Sequence, residues 1–390
     1  MIFKLAYKNI IGAGLRTWLN IFILSVAYFS IIALQGFFVG WSEDATREIK
    51  DWHIASGQFW QQTYDPYDPF TLDESHAEIP AELNKQIVGG NAVPILLSPA
   101  SIYPKGRMKS ILLKGIDPNQ KLLKIPTEFL NNDTEELGAI IGSRTAKSAE
   151  LNVGDFVTLR WRDANGAWDA TDVKINHIFE TTVLAIDTNT LWIPLAKMQQ
   201  MLELDNEATK IVMKYVPENL NYRNWEFKDE AFLLQDLKNM IQAKTVGSSI
   251  MYLLLLFMAG IAIFDTQILS IFRRRKEMGT MMALGMTRKK IIGLFTLEGS
   301  LHAVLAIFVG AVYGIPLLSY FEKVGLNFGA SGDDYGISGL TDTLYPQYGV
   351  KLVLGTIILV LITVTIVSYL PSRKIARLKP TDALRGKMTK

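Results

Sequence analysis

The chain has 390 residues, 49% of them hydrophobic and 20% charged, with a formal net charge of +2 at pH 7. That is too apolar for an ordinary soluble protein and too charged for a bare helical bundle, so a hybrid of membrane helices and a water-exposed domain is expected. The absence of cysteine excludes a disulfide framework, thiol catalysis and cysteine zinc sites.

Residues 1–17 carry Lys4, Lys8 and Arg16 and lead into an apolar run over 18–40. About 20 apolar residues cross roughly 30 Å of hydrocarbon as a helix, so this run reads as a first span. It is longer than a signal-peptide core, and no small-x-small cleavage pattern precedes Trp41, so it reads as an uncleaved anchor. Residues 41–245 read as one large α+β domain. Within it, 91–117 form a hairpin with an apolar run at 93–97, a turn at Pro104-Lys105-Gly106 and a second run at 108–116. Residues 157–161 and 173–179 read as strands flanking an Asn165-Gly166 turn, and 140–151 as a short helix ending at Val153-Gly154-Asp155. A small sheet or partial barrel is expected. Three more spans follow, at 246–272, 291–320 and 348–370, separated by a basic connector at 273–290 and a loop at 321–347, with a tail at 371–390. The third span exceeds one crossing, so either it tilts or its outer end projects beyond the lipid near Pro316. The fold class is thus an integral membrane protein of four helices with a large α+β domain between the first and second.

Charge fixes the orientation expected. The three segments at 1–17, 273–290 and 371–390 hold seventeen Lys and Arg against two acids, Glu277 and Asp382, whereas 41–245 hold 21 basic and 30 acidic residues. Under the positive-inside rule the basic segments and both termini are cytoplasmic and the acidic domain lies outside a bacterial inner membrane.

Neither a Gly-x-x-x-x-Gly-Lys-Ser/Thr phosphate loop nor Gly-x-Gly-x-x-Gly, His-Glu-x-x-His or Gly-x-Ser-x-Gly occurs. The chain therefore reads as non-enzymatic, with no catalytic residue, metal site or cofactor of its own. The basic clusters are short and flank spans, which points to topology and anionic lipids rather than nucleic acid. The aromatic stretch 52–70 could cradle an acyl chain or a peptide, although packing on its own domain or resting at the lipid interface is the preferred reading. His53, His76 and His177 lack metal-ligand spacing and read as ordinary histidines. Within the spans, Asp265 and Glu298 are expected at similar depth on neighbouring helices, with His302 one turn from Glu298. Structural packing is preferred for this trio over a cavity or gating role, and proton coupling ranks last. Gly310 and Gly314 form a small-xxx-small pattern that suits a helix interface, within the chain or with a second subunit.

The connector Arg275-Lys276-Glu277-Met278-Gly279-Thr280-Met281-Met282-Ala283-Leu284-Gly285 resembles the Arg-Glu-Ile-Gly...Ala-Leu-Gly signature of the FtsX-like permease family. Lys4 to Ile10 with Leu15-Arg16-Thr17 look like that family's leading amphipathic helix, and Leu370-Pro371-Ser372-Arg373 with Lys379 to Arg385 like its C-terminal tail. Gly115-Ile116-Asp117-Pro118, Ile141-Gly142-Ser143 and Val153-Gly154-Asp155 resemble the periplasmic core domain of macrolide-exporter and lipoprotein-release permeases. Lys276 stands where the family has Arg, and Asp265 where relatives often have Asn. The resemblance implies a permease subunit of an ABC transporter. A separate cytoplasmic ATPase would bind ATP and Mg, and a second permease subunit would complete a homo- or heterodimer. Arg275, Lys276, Glu277, Met278, Gly279, Met281, Met282, Leu284 and Gly285 would form the segment docked on the ATPase, with Met278, Met281, Met282 and Leu284 filling its apolar groove. The cargo expected is a lipoprotein or another amphipathic substrate. Tripartite drug or peptide efflux with a periplasmic adaptor is the alternative, followed by a signalling permease that controls a cell-wall hydrolase.

Overall fold

The computed structural model describes Ala6 and residues 14–131, 136–327 and 343–375. These divide into two compact units, a helical one drawn from residues up to 42, 241–327 and 343–375, and a globular one over 43–240. Of the leading segment expected at 1–17, residues 1–13 apart from Ala6 lie outside the described residues, as do most of the 321–347 loop and the tail beyond residue 375, while Leu15, Arg16 and Thr17 open the first long helix.

Among the described residues, four helices are long and apolar enough to cross a membrane. Helix α1 is Leu15–Ile49 and continues as a π-helical turn, Lys50–Ile54. Helices α2, Ala81–Val88, α3, Ser143–Ala149, and α4, Leu195–Leu202, belong to the globular unit. Helix α5 is Gln235–Arg273, α6 is Arg275–Ala283, α7 is Arg288–Val324 and α8 is Val350–Ile375. The ends of α1 and α5 extend beyond the spans expected at 18–40 and 246–272. Residues 41–49 and 235–245 are rich in Glu, Gln, Lys, Arg and Ala, which sustain a helix without being apolar. Hydropathy marks where lipid ends, not where a helix ends. Helix α7 likewise runs through Pro316 and stops only at Val324. At 37 residues it is roughly 55 Å long, well beyond a hydrocarbon core of about 30 Å.

Ile21, Leu24 and Ile31 of α1, Ala259 and Ile263 of α5, Ala303 and Ala306 of α7 and Val360 and Val364 of α8 form one buried cluster. Hydrogen bonds cross between helices at Asn20 to Thr266 (2.8 Å), Ser300 with Thr365 (3.0 Å) and Thr356 to Gln35 (3.2 Å). Leu253, Phe257, Ile358 and Ile362 face outward, as a helix solvated by lipid requires. Strands β13, Leu326–Asn327, and β14, Thr343–Leu344, pair antiparallel. The chain then passes closely over α1. A side chain at Gly36 would overlap the Tyr348 ring at 2.2 Å and one at Gly40 the Tyr345 carbonyl at 2.3 Å. The Gln347 N–H donates to the Gly36 carbonyl (2.9 Å).

In the globular unit the strands are β1 (Gly57–Gln61), β2 (Ala77–Glu78), β3 (Ala92–Ile102), β4 (Lys109–Ile116), β5 (Leu137–Gly142), β6 (Phe156–Arg162), β7 (Trp168–Phe179), β8 (Thr190–Pro194), β9 (Glu207–Ala208), β10 (Lys210–Met213), β11 (Asn221–Tyr222) and β12 (Trp225–Asp229). Ten of them form one sheet in the order β11-β12-β1-β10-β3-β4-β8-β5-β7-β6, and β6 also pairs with β3. That extra pairing closes β3-β4-β8-β5-β7-β6 into a six-stranded barrel, and β10, β1, β12 and β11 extend from it as a wing. The sheet is larger than the expected small one, because the hairpin and the strand pair at 157–179 join a single ladder.

Alternation along the strands separates two cores. Leu96, Leu113, Ile141, Leu159, Ile175 and Leu191 fill the barrel. Ile95, Leu97, Ile116, Ile140, Trp192 and Val212 point outward into a second cluster that Trp52 packs against. The helix expected at 140–151 is corrected: residues up to Gly142 are strand, since Ile140 and Ile141 are wholly buried on opposite faces, and only Ser143–Ala149 is helical. Its start is fixed by buried Asp187, whose carboxylate accepts from the Arg144 and Thr145 N–H groups and pairs with the Arg144 guanidinium (3.1 Å). A Cβ at position 142 would sit 1.9 Å from that carboxylate, so glycine is required there.

The aromatic stretch packs on its own domain for most of its length. Trp52 stacks on Phe179, Phe59 is fully buried, and Trp60 meets Tyr64 and Phe232 edge-on. Tyr67 and Phe70 are exposed.

Candidate functional site

Helix α5 ends in a run of four cations, and the structure treats them differently. Arg274 leaves helical geometry slightly (φ −94°, ψ 15°), which sets α6 off from α5. Its side chain turns inward. Nε donates to Glu277 (2.8 Å), and one guanidinium nitrogen reaches both oxygens of Glu298 on α7 (3.0 Å each). The guanidinium also lies over the Phe295 ring, 5.2 Å from its centroid. Glu298 is only 4% exposed. One arginine thus joins the end of α5, the first turn of α6 and the interior of α7.

Apolar contacts hold the same corner. Met278 packs with Ile271, Ile291 and Phe295, while Met281, Met282 and Met286 lie partly buried against them. Met281 also touches Leu294 and Leu301. The expectation that Met278 fills a partner's groove is therefore corrected, because its side chain is spent inside the chain's own helices. Helix α6 closes with a Schellman motif: the Met286 N–H donates to the Met281 carbonyl (2.9 Å) and the Gly285 N–H to the Met282 carbonyl (3.0 Å). This requires φ +93° at Gly285, a left-handed conformation that favours glycine. Gly279 is buried on α6. The outward face carries Lys276, Glu277, Thr280 and Leu284, the last 83% exposed, followed by exposed Arg288, Lys289 and Lys290. The Arg275 side chain lies outside what is described.

The intramembrane polar trio does not assemble as expected. Glu298 binds Arg274, and the His302 ring nitrogen Nδ1 lies 2.7 Å from the Glu298 backbone carbonyl. Asp265 is exposed on α5 and makes no hydrogen bond or ion pair among the described residues. The physical reason is reach: a guanidinium at the end of α5 spans the distance to Glu298, whereas Asp265 points off the bundle. Gly310 and Gly314 face α1 of the same chain, with a Cβ at each meeting Ser25 or Phe29 at 3.5 Å, an ordinary contact.

The globular unit holds a second group that sequence reasoning passed over. Lys210 on β10 pairs with Ile95 and Lys114 on β4 with Leu97, so both lysines share the outward barrel face with that second apolar cluster. Each is 4% exposed. His53 Nε2 lies 3.0 Å from Lys210 Nζ; Lys114 donates to the Ala185 carbonyl and sits over the Trp192 ring at 4.9 Å. Burial pushes Lys210 down to about 8. Burial and then Lys210 hold Lys114 far below the lysine range, and burial with both lysines holds His53 well below the usual histidine value. His76, by contrast, pairs with Glu207, and His177 stacks on Phe129. The available signal was a lysine at a core-facing position in two alternating strands, Leu112-x-Lys114-x-Ile116 and Lys210-x-Val212.

Residues 249–380, about a third of the chain, match the model of the FtsX-like permease C-terminal family. The chain is 24% identical over 267 residues to an uncharacterized ABC transporter permease of Methanocaldococcus jannaschii, covering 65% of this chain and 63% of that one. It is 22% identical over 334 residues to the lipoprotein-releasing system transmembrane protein LolE of Haemophilus influenzae, covering 77% and 78%. Against the macrolide export ATP-binding/permease protein MacB of Agrobacterium fabrum it is 24% identical over 220 residues, covering 51% of this chain and 31% of that one. The match thus spans under two thirds of the archaeal permease and under a third of MacB. A solved extracellular domain of the noncanonic ABC-type transporter YknZ from Gram-positive bacteria shares 14% identity and covers 47% of this chain and 94% of its own, with a TM-score of 0.26.

Proposed function

This chain belongs to the FtsX-like family of ABC transporter permeases, and from that premise we propose that α6 and the turn after it dock on a separate cytoplasmic ATPase. The observation that carries this reading is the Glu277–Arg274–Glu298 chain of ion pairs. A short helix tied to two membrane helices by a largely buried guanidinium moves with them as one body, so force applied to its exposed face reaches α5 and α7 without loss in a loose hinge. Lys276, Thr280 and Leu284 supply that face, and the neighbouring cations supply charge for an acidic partner surface. In this reading both termini are cytoplasmic, the globular unit lies outside the inner membrane, and a second permease subunit completes the transporter. The chain itself is non-catalytic. ATP-driven motion of the outer domain would act on lipoproteins or other amphipathic substrates, a class favoured by the name of the LolE relative and the extent of its match.

The test is affinity purification of the tagged chain from native membranes in mild detergent, comparing wild type with Leu284→Asp and Lys276→Glu. Wild type should retain a stoichiometric Walker-motif ATPase. The variants, whose altered side chains are exposed, should keep their melting temperature and lose it. Equal recovery by the variants overturns α6 as the docking element, and repeated recovery of wild type without any ATPase overturns the coupling mechanism.

A further inference from the structure

The two buried lysines do not lie in a sealed core. Lys114, Lys210 and His53 line a cavity of about 610 Å³ in the globular unit, whose other walls include Leu72, Leu97, Ile111 and Leu112. Buried cations ordinarily face a carboxylate. Here the acid that lines the cavity, Asp65, is exposed, and its carboxylate accepts from the Tyr67 N–H (2.8 Å). No salt bridge to either lysine occurs among the described residues. The strand alternation that places them would accept Leu or Val at both positions, and the neighbours Ile95, Leu97 and Val212 are of that kind. Two ammonium groups on one sheet face, one of them beside an imidazole, are therefore costly to stability unless something negative enters.

We infer that this cavity binds the carboxylate or phosphate end of an amphipathic anion, with the charged head on Lys114 and Lys210 and the apolar part along Leu72, Leu97, Ile111 and Leu112. An entering anion supplies the opposite charge that the carbonyl on Lys114 and the imidazole beside Lys210 do not, and the apolar wall excludes water from the contact. The volume suits a head group with a short alkyl segment. This inference needs neither an ATPase nor a moving permease, so its failure and that of the coupling reading are separately visible.

The experiment is calorimetric titration of the full chain in nanodiscs of zwitterionic lipid, corrected with empty discs, using octanoate, octyl phosphate, octanol and inorganic phosphate. Octanoate or octyl phosphate should bind to wild type at least tenfold more tightly than octanol and inorganic phosphate. Lys210→Met, which keeps volume and removes a buried charge, should lose at least tenfold in affinity while melting no lower than wild type, and Lys210→Gln should behave alike. Preference for octyl phosphate over octanoate, or the reverse, identifies the head group. Equal binding of octanol overturns the role of the lysines; equal binding of inorganic phosphate overturns the amphipathic assignment; absence of binding, or unchanged binding in both Lys210 variants, overturns the site.

Discussion

The helical and globular units each draw basic side chains away from water, and they do so in opposite ways. Arg274 meets Glu298 in a two-oxygen contact and Glu277 beside it. Lys114 and Lys210 have a carbonyl and a histidine but no acid among the described residues. A buried charge with its counter-ion built into the same chain is a fastener. A buried charge without one is a liability to the free fold and an opportunity for a ligand.

That comparison is broken most forcefully at the fastener. Arg274→Met removes the two-oxygen ion pair of a buried carboxylate and is expected to cost about 3–5 kcal/mol, whereas Arg274→Met combined with Glu298→Leu should recover most of the loss. Denaturation of the purified chain in detergent measures both, and equal losses in the single and double variants would show that the pair is not coupled. The lysines should respond with the opposite sign. Because Lys210 titrates at about 8 when folded and near 10.5 when unfolded, the unfolded chain holds more protons between those values, and stability rises with pH across that window. Lys210→Met should therefore stabilise the protein at pH 7 by on the order of 3 kcal/mol and reduce the slope of its pH dependence, the remainder coming from Lys114. Melting followed by tryptophan fluorescence from pH 7 to 10 checks this. Above pH 10 the trend reverses through Tyr64, whose hydroxyl burial and then Asp65 push up to about 12. A wild-type midpoint that falls between pH 8 and 10 would contradict the placement of Lys210.

Smaller effects sharpen the picture around the fastener. Gly285→Ala forces a side chain into left-handed geometry and should cost about 1–2 kcal/mol, with ATPase recovery falling as α6 loses its closing turn. Gly310→Ala should change stability by only a few tenths of a kcal/mol, because its Cβ finds ordinary contact distance to Ser25. A loss of several kcal/mol there would mean that α1 and α7 approach more closely than 3.5 Å allows.

The spans were legible because lipid imposes a length and a composition that no other solvent demands, and the hairpin at 91–117 because its turn residues interrupt two apolar runs. The partners were not. Glu298 stands out in a hydrophobic stretch, yet Arg273, Arg274, Arg275 and Lys276 read as equivalent charges, and the break in helical geometry at residue 274 that accompanies its inward turn has no signature in the sequence. Met278 looked available to a partner because hydropathy does not distinguish a methionine that packs on its own helix from one that packs on another chain. Lys114 and Lys210 could have been flagged by alternation, but their meeting depends on β10 and β4 flanking β3, a pairing between residues roughly a hundred positions apart. Of the aromatic stretch, Trp52, Phe59, Trp60 and Tyr64 pack on the globular unit, since aromatic rings this large rarely stay in water when a sheet lies beside them.

The close crossing at Gly36 and Gly40 bears on how the chain is made. Helix α1 leaves the ribosome first, but the residues that fill its glycine groove, Tyr345 to Tyr348, follow roughly 300 positions later. The whole ten-stranded sheet is thus encoded between the two halves of one helix contact. The Gln347 bond to the Gly36 carbonyl can close only after synthesis is nearly complete. A chain truncated before residue 343 would therefore leave α1 with its groove unfilled and the Gly36 carbonyl without its Gln347 donor.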